Sequence, residues 1–278
     1  MKALKKAGFV LASILFLIFI LGPFIYTFII AISPKTAMFT PDAHLLPESI
    51  TWDNFADLFS GSKRSSAFFR GMGNSLSAVI ITLLIGIPIT VMSGYALSRW
   101  DFKGRKLIKN ALLITIVIPV MATIIPLYRM FALGGMLDNM FWLSVIYVSS
   151  YLPMATWMMT NYLSTIPLEV EEAAMIDGCS KVQAFLRVIL PISYPILLSV
   201  ALIMFLNTWS QFQIPLILAS SMKTKPMAIV ISEFVTKDSV QYGLIAAAGI
   251  IALIPPAVTA IIFRKYLVSG MVSGSVKG

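Results

Sequence analysis

Six stretches of this sequence carry no Asp, Glu, Lys or Arg: residues 8–33, 71–98, 110–128, 139–168, 188–222 and 239–263. Each meets or approaches the roughly 20 apolar residues that a helix needs to cross a bilayer. Backbone polar groups in hydrocarbon must be satisfied within the structure itself, which leaves helices or closed β-barrels. Barrel strands would alternate in polarity over about 10 residues, and no stretch here does so. With 58% hydrophobic and 12% charged residues in a chain of 278, the composition is far from that of a soluble domain. The expected fold is an all-α membrane protein of six transmembrane helices, forming one transmembrane domain over residues 1–278. The two longest runs exceed the need of one span, so parts of them are expected outside the core or along its surface. The first run follows Lys2, Lys5 and Lys6, as in a signal peptide. Its apolar part is about 25 residues, well beyond the 7–15 of a signal, and a retained helix is expected.

Orientation follows from the basic residues between the runs. With the N-terminus inside, the cytoplasmic side holds Lys2, Lys5, Lys6, Arg99, Lys103, Arg105, Lys106, Lys109, Lys181, Arg187, Arg264, Lys265 and Lys277, which is 13 of the 21. Both termini are therefore expected in the cytoplasm. The outer side carries the loop over 34–70, a short turn near 134–138 and the loop over 223–238. The net charge of +9 is spread among apolar runs and forms no basic face, so a nucleic-acid partner is not expected.

Several function classes are disfavoured by what the runs lack. All 12 acidic residues lie between them, whereas proton-coupled carriers keep a carboxylate or histidine inside the membrane. No charged ring or carbonyl filter of an ion channel is evident. No G-x-x-x-x-G-K-[ST] phosphate loop is present, so energy for uphill transport would enter through another protein. The single Cys179 and single His44 offer neither a disulfide framework, a metal cluster nor a nucleophile–base pair. No catalytic residue and no metal ligand is expected. A self-sufficient secondary transporter or facilitator for a polar solute is the alternative to a driven importer.

The runs do contain Pro23, Pro88, Pro119, Pro126, Pro153, Pro215, Pro255 and Pro256, each of which removes a helical hydrogen bond. Together they suggest bent helices around a path. The densest polar patch is 207–213, where Asn207, Trp209, Gln211 and Gln213 could hydrogen-bond or stack on a sugar. Polar contacts between helices, or an interfacial tryptophan belt, would use the same residue types. Tyr147, Ser150, Trp157 and Asn161 on the fourth run stand under the same two readings.

Residues 166–191 read as a helix–turn–helix. Pro167 can open a short helix whose positive end suits Glu169, Glu171 and Glu172, and Gly178 can turn the chain. A second, amphipathic helix then places Val182, Phe185, Leu186 and Ile189 on one side. Glu172-Ala173-Ala174, Gly178 four residues on, then Val188-x-Leu190-Pro191 resembles the EAA loop of ABC importer permeases, with Val188 in place of the usual isoleucine. Asn74-Ser75-Leu76, the run Ser93 to Arg99 and the ending Arg264-Lys265-Tyr266-Leu267-Val268 through Gly270, Gly274, Val276, Lys277 and Gly278 resemble the smaller permease subunit of maltose-type carbohydrate importers.

The resemblance implies a membrane-spanning subunit of a binding-protein-dependent carbohydrate importer in a bacterial or archaeal plasma (inner) membrane. The loop would dock in a groove of a cytoplasmic ATPase pair, which holds ATP and Mg; this chain itself would hold no cofactor. Glu172 would be the polar anchor, Ala173 and Ala174 the close-packing contacts, Gly178 the turn, with Met175 and Asp177 beside them. A second related permease and an extracytoplasmic solute-binding protein would complete the assembly. The tail over 264–278 would approach the ATPase interface.

Overall fold

The computed structural model describes residues 2–34, 46–47, 49–235 and 241–272. His44, Glu48, Asp238 and the tail beyond 272 lie outside them, as does part of the expected loop over 223–238. The chain divides into two compact units, residues 1–70 with 229–254, and residues 71–228 with 255–278.

In the first unit, α1 (Lys2–Ala31) is followed by α2 (Asp53–Phe59), the start of α3 (Lys63–Arg99) and the first half of α13 (Tyr242–Val272). The buried Asn54 amide donates to the carbonyls of Ala31 and Ser33, both at 2.9 Å, tying α2 to the exit of α1. Gly243 approaches Asn54 so closely that a methyl group there would collide with the amide. Helix α1 is exposed along almost all of its apolar length, a large apolar surface of the kind that meets lipid or protein.

In the second unit, α3 continues to Arg99 and is joined by α4 (Arg105–Val117), α5 (Val120–Leu133) and α6 (Met140–Leu163). Then come α7 (Leu168–Ile176), α8 (Lys181–Ala184), a π-helical turn (Phe185–Ile189), α9 (Leu190–Ile192), α10 (Tyr194–Trp209), α11 (Gln213–Leu218) and the beginning of α12 (Met227–Ser232). Gly94 sits against the Met159 side chain of α6 and Gly86 against Met204 of α10, so a methyl at either glycine would collide. Small residues that let backbones approach are how helices pack where lipid removes the hydrophobic drive. Around these contacts lies a core of Val91, Ala155, Met159, Leu163, Ile196 and Val200.

Among the described residues, α1 (over Lys5–Ala31), α3 and α13 (over Tyr242–Lys265) are long and apolar enough to cross a membrane. Two bent pairs make up to five spans if each is one: α4 with α5, bent by 97°, and 181–192 with α10, bent by 72°. The fourth run forms the uninterrupted 24-residue α6, yet α6 is not among the helices that qualify by hydropathy. A run free of charge is thus not always apolar, since Ser144, Ser149, Ser150, Thr156, Thr160 and Asn161 dilute this one. Prolines do not mark the bends evenly either. Helix α3 runs through Pro88, whereas the chain breaks ahead of Pro119, where Ile118 is extended. The residue before a proline is driven out of the helical region, which accounts for that break.

Candidate functional site

Helix α7 opens after Pro167, with Glu169 and Glu171 in its first turn facing the positive end of the helix dipole. It ends in a paired cap: Gly178 N–H donates to Met175 O at 3.1 Å and Cys179 N–H to Ala174 O at 3.0 Å. That cap needs a left-handed residue, and Gly178 has φ +91°. Ser180 then starts α8 with a reciprocal capping box to Gln183. The helix–turn–helix expected over 166–191 is present, and Gly178 is its turn.

The periodicity of α7 sorts the expected docking residues. Glu172, Ala173, Asp177 and Gly178 are exposed, Met175 is partly exposed, and Ile176 stands out at the tip at 86%. Ala174 is different: it shares the inward face with Glu171 three residues earlier, and both are buried. Its surface is used within the chain. In the second helix the inward residues are Ala184 and Ile189, while Val182 and Leu186 are exposed, contrary to the expected single stripe. The π turn at Phe185–Ile189 shifts the phase after Ala184, which a regular 3.6-residue count does not anticipate.

Glu171 receives a hydrogen bond from Tyr95 Oη and faces Arg99 Nε at 3.4 Å. Arg99 also donates through Nη1 to Ile166 O at 3.0 Å. Arg105 closes the end of α3 by donating to Leu97 O at 2.9 Å and Ser98 O at 3.1 Å, occupying carbonyls that a helix end leaves free.

A cleft of about 420 Å³ lies among α4, α5, α6 and α10. Its polar wall comprises Thr115, Thr123, Ser149, Ser150, Tyr151 and Asn207, and among the described residues no charged one lines it. Of the expected path residues, Asn207 is exposed to this cleft, with its amide donating back to Ile203 O. Gln211 donates to Tyr151 Oη at 2.9 Å, which donates to Asn207 O at 3.1 Å. Gln213 is exposed, and its N–H is held by Gln211 Oε1. Trp209 is buried and stacks on Phe205 at 6.0 Å, so its faces are occupied by protein. Of the fourth-run residues, Ser150 lines the cleft, Tyr147 is fully buried, Trp157 is half-buried and Asn161 is exposed elsewhere.

Far from Arg99 along α3, a third cluster organises the segment over 219–227. Asp138 adopts φ +53° and its carboxylate accepts from the Oγ of Ser221, the Oγ1 of Thr224 and, at 2.9 Å, the Ser221 N–H. Burial pushes its carboxyl up, but these bonds and one from the Ser220 backbone outweigh that and hold it below the ordinary carboxylate value. Asn74 donates to Met222 O and Lys225 O, and Ser75 Oγ accepts from Met227 N–H. From sequence alone Glu171 has no role beyond the helix dipole, Arg99 none beyond side-of-membrane charge and its place in the Ser93–Arg99 resemblance, and Asp138, Tyr151, Thr115 and Thr123 have none. The Gly134-Gly135 pair ahead of Asp138 was the available sign of a tight turn.

Residues 86–273 match the family described as binding-protein-dependent transport system inner membrane component. Among curated proteins, the chain is similar to the trehalose transport system permease protein of Mycobacterium tuberculosis (30% identical, covering 92% of each chain). It is similar also to the trehalose/maltose transport system permease protein of Thermococcus litoralis (29% identical, 100% and 99% covered). The maltodextrin transport system permease protein of Bacillus subtilis is 30% identical over 96% of each chain. Among solved structures, a chain of a bacterial ABC transporter involved in the import of the acidic polysaccharide alginate shares the fold. It superposes with a TM-score of 0.77 over 96% of this chain and 98% of that one, at 22% identity.

Proposed function

Because the chain belongs to the family of binding-protein-dependent transport system inner membrane components, we propose that it is the membrane-spanning permease subunit of an ATP-driven carbohydrate importer. It is a multi-pass transport subunit. The observation that carries the coupling role is α7: an exposed helix tip whose Glu172, Ala173, Met175 and Asp177 are presented by a glycine-dependent cap. In this reading the tip docks on a cytoplasmic ATPase pair, which binds ATP and Mg and performs the hydrolysis. Closure of that pair displaces α7 and, through it, the helices around the cleft.

The cleft suits a neutral polyhydroxylated solute. Its hydroxyls and amide offer donors and acceptors, Tyr151 adds an aromatic face, and there is no fixed charge to desolvate. Named relatives that carry trehalose, maltose or maltodextrin support the sugar class. A second related permease would complete the path, and a solute-binding protein would deliver the sugar to the outer loops, where the loop over 221–238 would reach toward it. Six spans, both termini in the cytoplasm and a plasma (inner) membrane location complete the proposal, with the tail over 264–278 near the ATPase interface.

The test is to tag the chain in its host, solubilise the membranes gently and identify what co-purifies, for wild type and Glu172→Lys. Wild type should bring down an ATPase and a second permease, and the variant should stay in the membrane but lose both the ATPase and uptake. A chain recovered alone, with uptake that survives ATP depletion, would replace the importer by a self-sufficient carrier.

A further inference from the structure

Helix α7 is joined by the chain to α6 on one side and, through α8 and α9, to α10 on the other, so displacement reaches those two helices through covalent connections. Helix α3 has no such link, since Glu171 and Tyr95 are 76 residues apart in sequence. Yet α3 packs against both α6 and α10 through Gly94 and Gly86. If α3 did not follow the docking helix, those contacts would have to slide.

We propose that Arg99, Glu171 and Tyr95 form a latch that makes the end of α3 move with the docking helix. This inference rests on the importer reading and adds positioning residues to it. Four observations support the latch. The Arg99 side chain is 6% exposed and that of Glu171 is 11% exposed, so the pair sits out of water, where charge attraction is least screened. Arg99 meets two successive parts of the helix–turn–helix: it pairs with the carboxylate of Glu171 and donates to the carbonyl of Ile166 in the linker before α7. Tyr95, one turn before Arg99, binds the other carboxylate oxygen and packs its ring on Phe185 of the π turn at 4.5 Å. Finally, Arg105 secures the last carbonyls of α3, so the helix end that carries the latch is itself braced.

The latch is not at its tightest. Arg99 Nε and Nη2 and Glu171 Oε2 are buried without a hydrogen bond partner, and Nε stands 3.4 Å from Oε2. A guanidinium and a carboxylate can form two parallel bonds, as Arg side chains commonly do. A small shift of α7 along α3 would bring Arg99 Nε and Nη2 into hydrogen bonds with the Glu171 carboxylate. The same three residues therefore offer a looser and a tighter seating, and docking strain on α7 would select between them. Glu171 thus differs in kind from Glu172. The first faces inward and transmits, and the second faces outward and docks.

The experiment uses the assembled importer, isolated through the tagged chain and reconstituted in vesicles with its ATPase and solute-binding protein. Three quantities are measured: ATPase recovered per permease, ATP hydrolysed, and solute taken up per ATP. Glu171→Gln keeps the shape and an acceptor for Tyr95 but removes the charge. It should retain ATPase recovery while uptake per ATP falls about tenfold. Arg99→Gln should do the same, and the double variant should be no worse than either alone because both changes break one device. The double variant also leaves no unpaired buried charge, which guards against misfolding of the singles. Uptake per ATP within twofold of wild type in an intact Glu171→Gln complex overturns the latch and leaves the importer reading standing. Loss of ATPase recovery in the double variant overturns it too, since these residues would then hold the docking surface rather than transmit from it. If wild type recovers no ATPase and takes up solute without ATP, the importer reading falls and the latch falls with it.

Discussion

A glycine at φ +91° with nothing within 4 Å of its missing Cβ separates two reasons for needing glycine. At Gly178 the space is open, so a side chain would be opposed by backbone conformation alone, at about 1–2 kcal/mol for most residues. Asn tolerates the left-handed region and Val does not. Gly178→Asn should therefore preserve the cap, Gly178→Ala should weaken it and Gly178→Val should abolish it. Hydrogen exchange at the Gly178 and Cys179 amides reads this directly, with protection expected to fall in that order. Equal protection in the Val variant would mean that the cap does not depend on the left-handed turn. Asp138 is the one non-glycine residue at positive φ among the described residues, and its three described side-chain acceptor bonds make a different forecast. Replacing it by Ala strands two hydroxyls and an N–H, a local cost of about 1–3 kcal/mol. Its carboxyl is held below its usual value, so its stabilising effect is complete above the unfolded value of about 3.9 and is lost as pH falls through the lower folded value. Proteolysis of the segment over 219–227 should thus be constant through neutral pH and rise only in strong acid, and Asp138→Asn should remove that acid dependence.

At the scale of elements, what the sequence made legible was what local chemistry dictates. Pro167, the Glu residues and Gly178 set the limits of α7 without tertiary help, and the structure keeps them. The inward turn of Glu171 was not legible, because three neighbouring glutamates look alike until the face of α7 against α3 is known. The π turn and the buried Trp209 were hidden for a related reason: both depend on which neighbours fill the space. The bent pair α4–α5 was readable in part, since Pro119 lies in the third run, but seven other prolines competed with it as break points. This break also has a functional consequence, because Thr115 and Thr123 reach the cleft from opposite sides of the bend. In a Cys179→Ser background, Thr123→Cys and Asn207→Cys should react with a small hydrophilic thiol reagent, and the transported sugar should slow both. Adding Pro119→Leu, which permits a continuous helix, should reduce labelling of Thr123→Cys by several-fold. Unchanged labelling would show that the bend is set by packing rather than by the proline.

On the scale of the molecule, the second unit contains two belts of contact that constrain the path of the chain. Arg99 meets Ile166 and Glu171, so the ends of α3 and α6 lie together. At the other belt Asn74 meets Met222 and Lys225, while Asp138 meets Leu218, Ser221 and Thr224. Asn74 and Arg99 are on one helix, about 37 Å apart at 1.5 Å per residue, more than the roughly 30 Å of a hydrocarbon core. Residues 99 and 166 can share a side only if the chain between them crosses an even number of times. The α4–α5 pair and the neutral-polar α6 must then both cross or both fail to cross. Asp138, between them, contacts the belt of Asn74, which favours two crossings. Cysteines at Lys106, Gly135, Lys181 and Lys223, probed with an impermeant thiol reagent in intact cells, test this pattern. Gly135→Cys and Lys223→Cys should label from outside, and Lys106→Cys and Lys181→Cys only after the membrane is opened. Labelling of Gly135→Cys on the side of Lys106→Cys would make the α4–α5 pair re-entrant and remove two of the six spans at once.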